Sequence, residues 1–131
     1  MSFELAVVTC FQRYATFQGR ASRAEFWWWQ LFQLLLLIFI AVLSSLMPVL
    51  AGWLFLICFF GLIVPTLAVM VRRLHDVGWS GLWMGAGLVG IGSIFLSIVW
   101  AWPGQPDMNR FGPPNRPATP RVSRIPFVRR R

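Results

Sequence analysis

Residues 26 to 71 of this chain contain no Asp, Glu, Lys, Arg or His. One helical crossing of a bilayer takes about 20 apolar residues, so this run is too long for one crossing and suits two. A second uncharged run covers residues 77 to 106. Hydrophobic residues make up 57% of the chain and charged residues 12%, against about 25% charged in soluble proteins. The sequence therefore predicts an all-α, multi-pass membrane protein.

The apolar runs divide into three predicted transmembrane helices, over about 26–47, 49–71 and 81–102. Ser22 and Glu25 form a capping box before the first helix, and Pro48 separates the first two as a tight hairpin. Pro65 has no N–H for the carbonyl of Gly61, so it should kink the second helix. The eight tryptophans cluster at the ends of the predicted spans, as in aromatic belts at membrane interfaces.

The two ends of the chain differ from the spans. Residues 3 to 17 carry apolar side chains on one helical face, which predicts an amphipathic helix. It is expected to lie in the membrane interface, with packing on the protein itself as an equal alternative. At the other end, residues 103 to 131 are rich in Pro and Arg. We expect a membrane domain over 1–114 and a disordered tail over 115–131, because the tail has little to bury.

All twelve basic residues are Arg, and the net charge is +8. Basic residues beside spans indicate a cytoplasmic side and contact with anionic lipids. No DNA- or RNA-binding motif accompanies the charge, so nucleic acid is not an expected partner. The first two spans put the N-terminus and the 72–80 segment on one side, which predicts a cytoplasmic N-terminus. A third crossing would then place the Arg-rich tail outside, whereas a re-entrant third segment would remove this conflict.

Polar residues concentrate at the open end of the predicted hairpin, and they form the candidate site: Arg20, Arg23, Glu25, Arg72, Arg73, His75 and Asp76. Two interpretations of this cluster stay open. These residues build a structural ion-pair network, or their surplus of arginine holds a lipid phosphate or another anion. No nucleophile elbow or metal-ligand spacing accompanies them, so neither an enzyme nor a cofactor or metal site is expected.

Small residues in the third segment suggest close helix packing. Gly81, Gly85 and Gly92 fall on one face of a helix over 81–102, and small residues let helices approach closely in lipid. Packing within the chain is one interpretation, and a homo-oligomer or another membrane-protein partner is the other.

Three polar and aromatic motifs lie at or near the ends of the predicted spans. They are G-R-A-S-R-A-E-F-W at 19–27, R-R-L-H-D at 72–76 with S-G-L-W at 80–83, and N-R-F-G-P at 109–113. Together they resemble a known family of small bacterial inner-membrane proteins, domain of unknown function 805. The resemblance covers about residues 10 to 114 and implies a bacterial inner-membrane location without a known reaction. Trp79 and Leu82 depart from the family's usual residues. By motif match, the family's polar positions also include Gly19, Asn109 and Arg110.

These observations predict a non-enzymatic membrane scaffold or accessory protein, with a transporter or channel component as the alternative. The spans carry few polar groups that could line a pathway, which argues against the alternative. The motif at 109–113 can join the other two only if the third segment returns to the side on which it began.

Overall fold

The computed structural model describes residues 1 to 88 and 90 to 115, and these are mainly helical. The elements are α1 (Phe3–Gln12), α2 (Arg23–Leu46), α3 (Pro48–Asp76), a 3₁₀ helix (Gly81–Leu88) and α4 (Gly90–Ala101). Within the described ranges the only β pairing is an isolated bridge between Asn109 and Gly112. The all-α prediction is confirmed. Apart from residue 115, the predicted tail lies outside the described residues.

Among the described residues, α2 and α3 are the two helices long and apolar enough to cross a membrane, with mean hydropathies of 2.1 and 2.7. They are joined at Met47, and Pro48 is the first residue of α3, where a proline loses no helical hydrogen bond. Only 11% and 17% of their most apolar windows are buried inside the protein. Their apolar side chains therefore face outward, as they would towards lipid.

The start of α2 follows its capping signal. Ser22 Oγ accepts the N–H of Glu25 at 3.1 Å, which satisfies one of the free donors of the first turn. The helix begins at Arg23, three residues before the predicted span, because the capping residue and not the first apolar residue sets its first turn.

Helix α3 continues to Asp76, five residues beyond the predicted end of the second span. The helix extends past the predicted span because Leu74 is fully buried against Leu96 and Val99, which favours continuing the helix past the arginines. Gly78 then ends it with φ +86. The N–H groups of Gly78 and Trp79 bond back to the carbonyls of residues 75 and 74, which is a Schellman motif.

The third segment is not the single helix over 81–102 that the apolar run predicts. It forms the 3₁₀ helix followed by α4, and these two pack against each other and against α3. Twelve residues of α4 span about 18 Å, against about 30 Å of bilayer hydrocarbon. Both ends of the segment contact the last turns of α3: Gly81 approaches Val71, and the N–H of Gln105 bonds to the Asp76 carbonyl at 2.8 Å. The segment leaves this end of α3 and returns to it.

Two of the three glycines predicted to allow close packing do so. A Cβ on Gly81 would lie 2.8 Å from Val71 Cγ1, and a Cβ on Gly92 would overlap the backbone carbonyl of Ala86. Gly85 has open space where a side chain would project. The predicted shared face fails at Gly85 because a 3₁₀ helix turns every three residues and so changes the face it presents.

Helix α1 ends at Gln12 and is shorter than the predicted 3–17. It packs against α2: Ala6 and Cys10 are buried, and Phe11 meets Trp29 edge-on with ring centroids 5.3 Å apart. Leu5 remains about half exposed. Packing on the protein is therefore confirmed for one face of α1, while another apolar face stays outward.

A hydrogen bond from the segment after α1 replaces one that is missing from the backbone of α3. Pro65 is buried within α3 and has no N–H for the carbonyl of Gly61. The hydroxyl of Tyr14 donates to that carbonyl. The backbone acceptor that the proline leaves free is thus used to attach the N-terminal segment to α3.

We expect Tyr14→Phe to lower the free energy of unfolding by about 1 kcal/mol, because the Gly61 carbonyl loses its donor. Chemical unfolding in detergent micelles measures this change. The control repeats the substitution in a Pro65→Ala background. There the new N–H at residue 65 can bond to Gly61, so the cost of Tyr14→Phe should fall towards zero. Equal costs in the two backgrounds would show that the tyrosine acts in another way.

Candidate functional site

The site is organised around the carboxylate of Asp76 at the C-terminal end of α3. Asp76 Oδ1 accepts a hydrogen bond from Arg20 Nε at 2.8 Å, and Oδ2 accepts one from Arg73 Nη1. The exposed fractions of Arg20, Arg73 and Asp76 are 2%, 0% and 1%. One buried carboxylate therefore joins the segment before α2 to the end of α3.

Arg73 also binds the C-terminal end of α4. Its Nε donates to the carbonyl of Trp100 at 2.9 Å, and its Nη2 donates to the carbonyl of Trp102. The last carbonyls of a helix have no partner within the helix and carry partial negative charge. The guanidinium supplies donors for both, which fixes α4 to α3.

Arg20 reaches the loop that follows α4. Its Nη1 donates to the carbonyls of Asp107 at 2.7 Å and Gly112 at 3.3 Å, and its Nη2 donates to the carbonyl of Gln105. These contacts use the fork of donors that only an arginine offers. The loop after α4 is thereby held against the residues that precede α2.

A second buried ion pair lies beside the first. Arg72 Nη1 donates to Glu25 Oε1 at 2.6 Å, and Glu25 Oε2 accepts from Asn115 Nδ2 at 2.8 Å. Arg72 and Glu25 are both fully buried. Arg72 Nη2 has no hydrogen-bond partner among the described residues. This pair joins α2 to α3 and brings residue 115 to the same end of the molecule.

His75 and the third motif form the outer edge of the cluster. The Nδ1 of His75 lies 3.1 Å from the Gly19 carbonyl, and its ring stacks on Phe111 with centroids 3.9 Å apart. Asn109 Nδ2 donates to the His75 carbonyl at 2.9 Å. The guanidinium carbon of Arg110 lies over the Phe111 ring, 4.6 Å from its centroid.

The structure brings together most of the candidate residues but not all of them. Five enter the buried network: Arg20, Glu25, Arg72, Arg73 and Asp76. His75 and Asn109 bind at its edge. Arg23 and Arg110 are exposed and lie outside it. A lipid phosphate does not reach Arg20, Arg72 or Arg73 in this arrangement, since their side chains are buried.

Sequence reasoning missed the residues after α4 that complete the network. Gln105 and Asn115 lie in a Pro- and Gly-rich stretch that resembles a tail. The contacts of Arg20 and Arg73 are with backbone carbonyls, which every residue has, so no residue type in the sequence marks them. The one available signal is the third motif itself, because its polar residues need partners if the segment returns to α3.

The chemistry open to this cluster is limited by burial. The described residues contain no group of three side chains able to hold a metal. Burial, together with the nearby Glu25 carboxylate, raises the pKa of the Cys10 thiol to about 12, so this thiol stays protonated and is a poor nucleophile near neutral pH. The ion pairs and hydrogen bonds of this network hold together segments that are far apart in the sequence.

Two long, outward-facing apolar helices and a polar network at one end define a small helical membrane protein. Residues 14–113 match the family described as a protein of unknown function, DUF805, and the chain belongs to this family.

Its relatives include inner-membrane proteins of Escherichia coli K12. The chain is 37% identical to inner membrane protein YhaH over 111 residues, covering 78% of this chain and 88% of that one. It is 30% identical to inner membrane protein YhaI over 102 residues, covering 77% and 86%. The uncharacterized protein YiiR is 36% identical over 88 residues, covering 66% and 57%. No solved structure matches the chain.

We expect Asp76→Asn to lower the free energy of unfolding by about 3–5 kcal/mol, because it leaves Arg20 and Arg73 buried without their shared carboxylate. Limited proteolysis should then cut within residues 103–112, which the arginines no longer fix. Asp107→Asn is the matched control, since its exposed carboxylate forms no ion pair within the described residues. Equal effects of the two substitutions would contradict a central role for Asp76.

Proposed function

We propose that this protein is a two-span scaffold or accessory protein of the bacterial inner membrane. Its non-enzymatic role would be to present one folded polar face at the cytoplasmic surface. The observation that carries the proposal is the meeting of all three family motifs in one buried network. A reaction centre needs reactive groups that a substrate can reach, whereas these arginines and carboxylates contact one another and backbone carbonyls.

The arrangement of charge supports a cytoplasmic N-terminus. The connection between α2 and α3 is uncharged. Arginines lie at or beside the opposite end of this hairpin: Arg20, Arg23, Arg72, Arg73 and Arg110. Residue 115 also lies at that end, bonded to Glu25, and six further arginines follow it in the sequence. With two crossings, all twelve arginines fall on one side, which agrees with the positive-inside rule. Two crossings also remove the orientation conflict of the three-span prediction.

Contact with anionic lipid is proposed for the exposed arginines and not for the buried ones. Arg13, Arg23 and Arg110 are exposed and form no ion pair within the described residues. Side chains of this kind at a membrane surface attract anionic headgroups. The buried network and this outer arginine set therefore have separate roles, the first in holding the fold and the second in contacting the surrounding membrane.

Reporter fusions test the two-span arrangement. We expect a fluorescent reporter that matures only in the cytoplasm to be bright when fused after residue 115, and a phosphatase active only in the periplasm to be inactive there. A phosphatase fused after Leu46, in the uncharged connection, should be active. The reverse pattern at residue 115 would mean that the third segment crosses the membrane.

An exchange of charge tests the structural role of the second ion pair. We expect Arg72→Glu and Glu25→Arg each to reduce the amount of folded protein in the membrane severely, because like charges would meet in a buried site. The double variant should recover a substantial part, since a pair of opposite charges is restored. Thermal unfolding of the purified proteins measures the recovery. A double variant no better than either single variant would show that the orientation of the pair serves another purpose.

A further inference from the structure

A groove runs between α2 and α3 with a polar end and an apolar end. Its volume is about 480 Å³, and most of its lining is apolar. Gln30, Gln33 and Thr66 line the end nearer the ion-pair network, and Ile40 and Phe55 line the far end. Ten residues separate Gln30 from Ile40, which is about 15 Å along the helix. This length matches half of the roughly 30 Å hydrocarbon layer, the depth of one leaflet.

The polar end contains an amide without a hydrogen-bond partner among the described residues. Gln33 Nε2 donates to Thr66 Oγ1 at 2.7 Å, and Trp29 Nε1 donates to the same oxygen at 3.2 Å. Thr66 itself donates to the Leu62 carbonyl at 2.6 Å. Gln30 forms no hydrogen bond with any residue of the described ranges. An unpaired amide in hydrocarbon is unfavourable, so this position favours a ligand that carries its own acceptor.

An exposed cation lies on the same face of α2. Arg23 precedes Gln30 by seven residues, or two helical turns, so the two side chains project in nearly the same direction. The separation along the axis is about 10 Å. Arg23 is exposed and forms no ion pair within the described residues. The headgroup layer of each leaflet is about 5–8 Å thick, so Arg23 stands at phosphate depth when Gln30 lies just inside the hydrocarbon.

We propose that this groove is a binding site for one anionic phospholipid from the leaflet on the Arg23 side. One acyl chain lies along the groove from Gln30 to Ile40. The amide of Gln30 donates to an ester carbonyl, and Arg23 binds the phosphate. Arg23, Gln30 and the apolar lining of the groove follow one another along α2 in the same order as the phosphate, the ester carbonyl and the acyl chain of the lipid. The site rests on the proposed membrane arrangement only in naming the leaflet as cytoplasmic.

A second copy of the chain is a poorer fit as the occupant. The exposed residues of α2 and α3 beyond the first turns are almost all apolar, so a second copy packed in the groove would bring few acceptors to Gln30. A phospholipid supplies both the acceptor and the negative charge.

Lipid analysis of the purified protein tests the site. The protein is extracted from its native membrane in mild detergent, and bound phospholipid is counted per chain by class with mass spectrometry. Leu37→Trp places a large ring in the groove, since Leu37 is part of its lining. Leu35→Trp is the matched control, because Leu35 is exposed and is not part of the lining. Arg23→Gln is compared with the unchanged protein.

We expect about one anionic phospholipid per chain in the unchanged protein and in the Leu35→Trp control. Leu37→Trp and Gln30→Leu should each reduce lipid retention by about tenfold. Arg23→Gln should reduce the preference for anionic over zwitterionic lipid by about tenfold, as expected for losing one charge-assisted hydrogen bond.

The Gln30 variant still tests the site if the tryptophan variant fails to fold. Equal retention in Leu37→Trp and Leu35→Trp, or in Gln30→Leu and the unchanged protein, would overturn the proposal. So would an unchanged lipid preference in Arg23→Gln, or a dimer that Leu37→Trp dissociates without loss of lipid. Reporter fusions that contradict the two-span arrangement would leave this lipid count unaffected, so the two proposals fail separately.

Discussion

The fold depends on one buried carboxylate that two arginines share. Asp76 holds Arg20 and Arg73 in position, and these arginines then bind the carbonyls at the end of α4 and in the loop beyond it. Buried charges are stable only when paired and fully hydrogen-bonded. A single carboxylate cannot accept all the hydrogen bonds that two guanidinium groups donate. Here the backbone carbonyls of a distant segment accept the others. The return of the third segment to α3 and the burial of the arginines therefore require each other.

The same principle, that buried polar groups need partners, explains how irregular backbone is accommodated beside apolar helices. Backbone groups in a hydrocarbon environment must find partners within the protein. The carbonyls of Trp100 and Trp102 are bound by Arg73. The carbonyl that Pro65 frees at Gly61 is bound by Tyr14. Side chains from distant parts of the sequence thus perform the task that a regular helix performs with its own N–H groups.

Much of the helical framework could be predicted from the sequence, because the membrane imposes a length and a polarity that composition reveals directly. Helices α2 and α3 follow from the uncharged run, and the Ser22 cap and Pro48 mark their start and their junction. The third segment could not be predicted in the same way. It is uncharged and apolar, as a span is. Its return depends on contacts with backbone carbonyls, which the residue types do not reveal. At the site, the charged residues could be named from the motifs, but their division into buried Arg20 and exposed Arg23 follows from tertiary packing.

The long sequence separation within the network has a consequence for how the protein is made. Arg20 binds carbonyls that lie 85 to 92 residues further along the chain. In the proposed two-span arrangement, the hairpin of α2 and α3 can enter the membrane as soon as both helices have been synthesised. The arginine network cannot close until residue 112 has left the ribosome. During that interval Arg20 and Arg73 have only part of their native partners. A chain truncated shortly before residue 105 would thus insert normally and still be a marked substrate for membrane quality-control proteases.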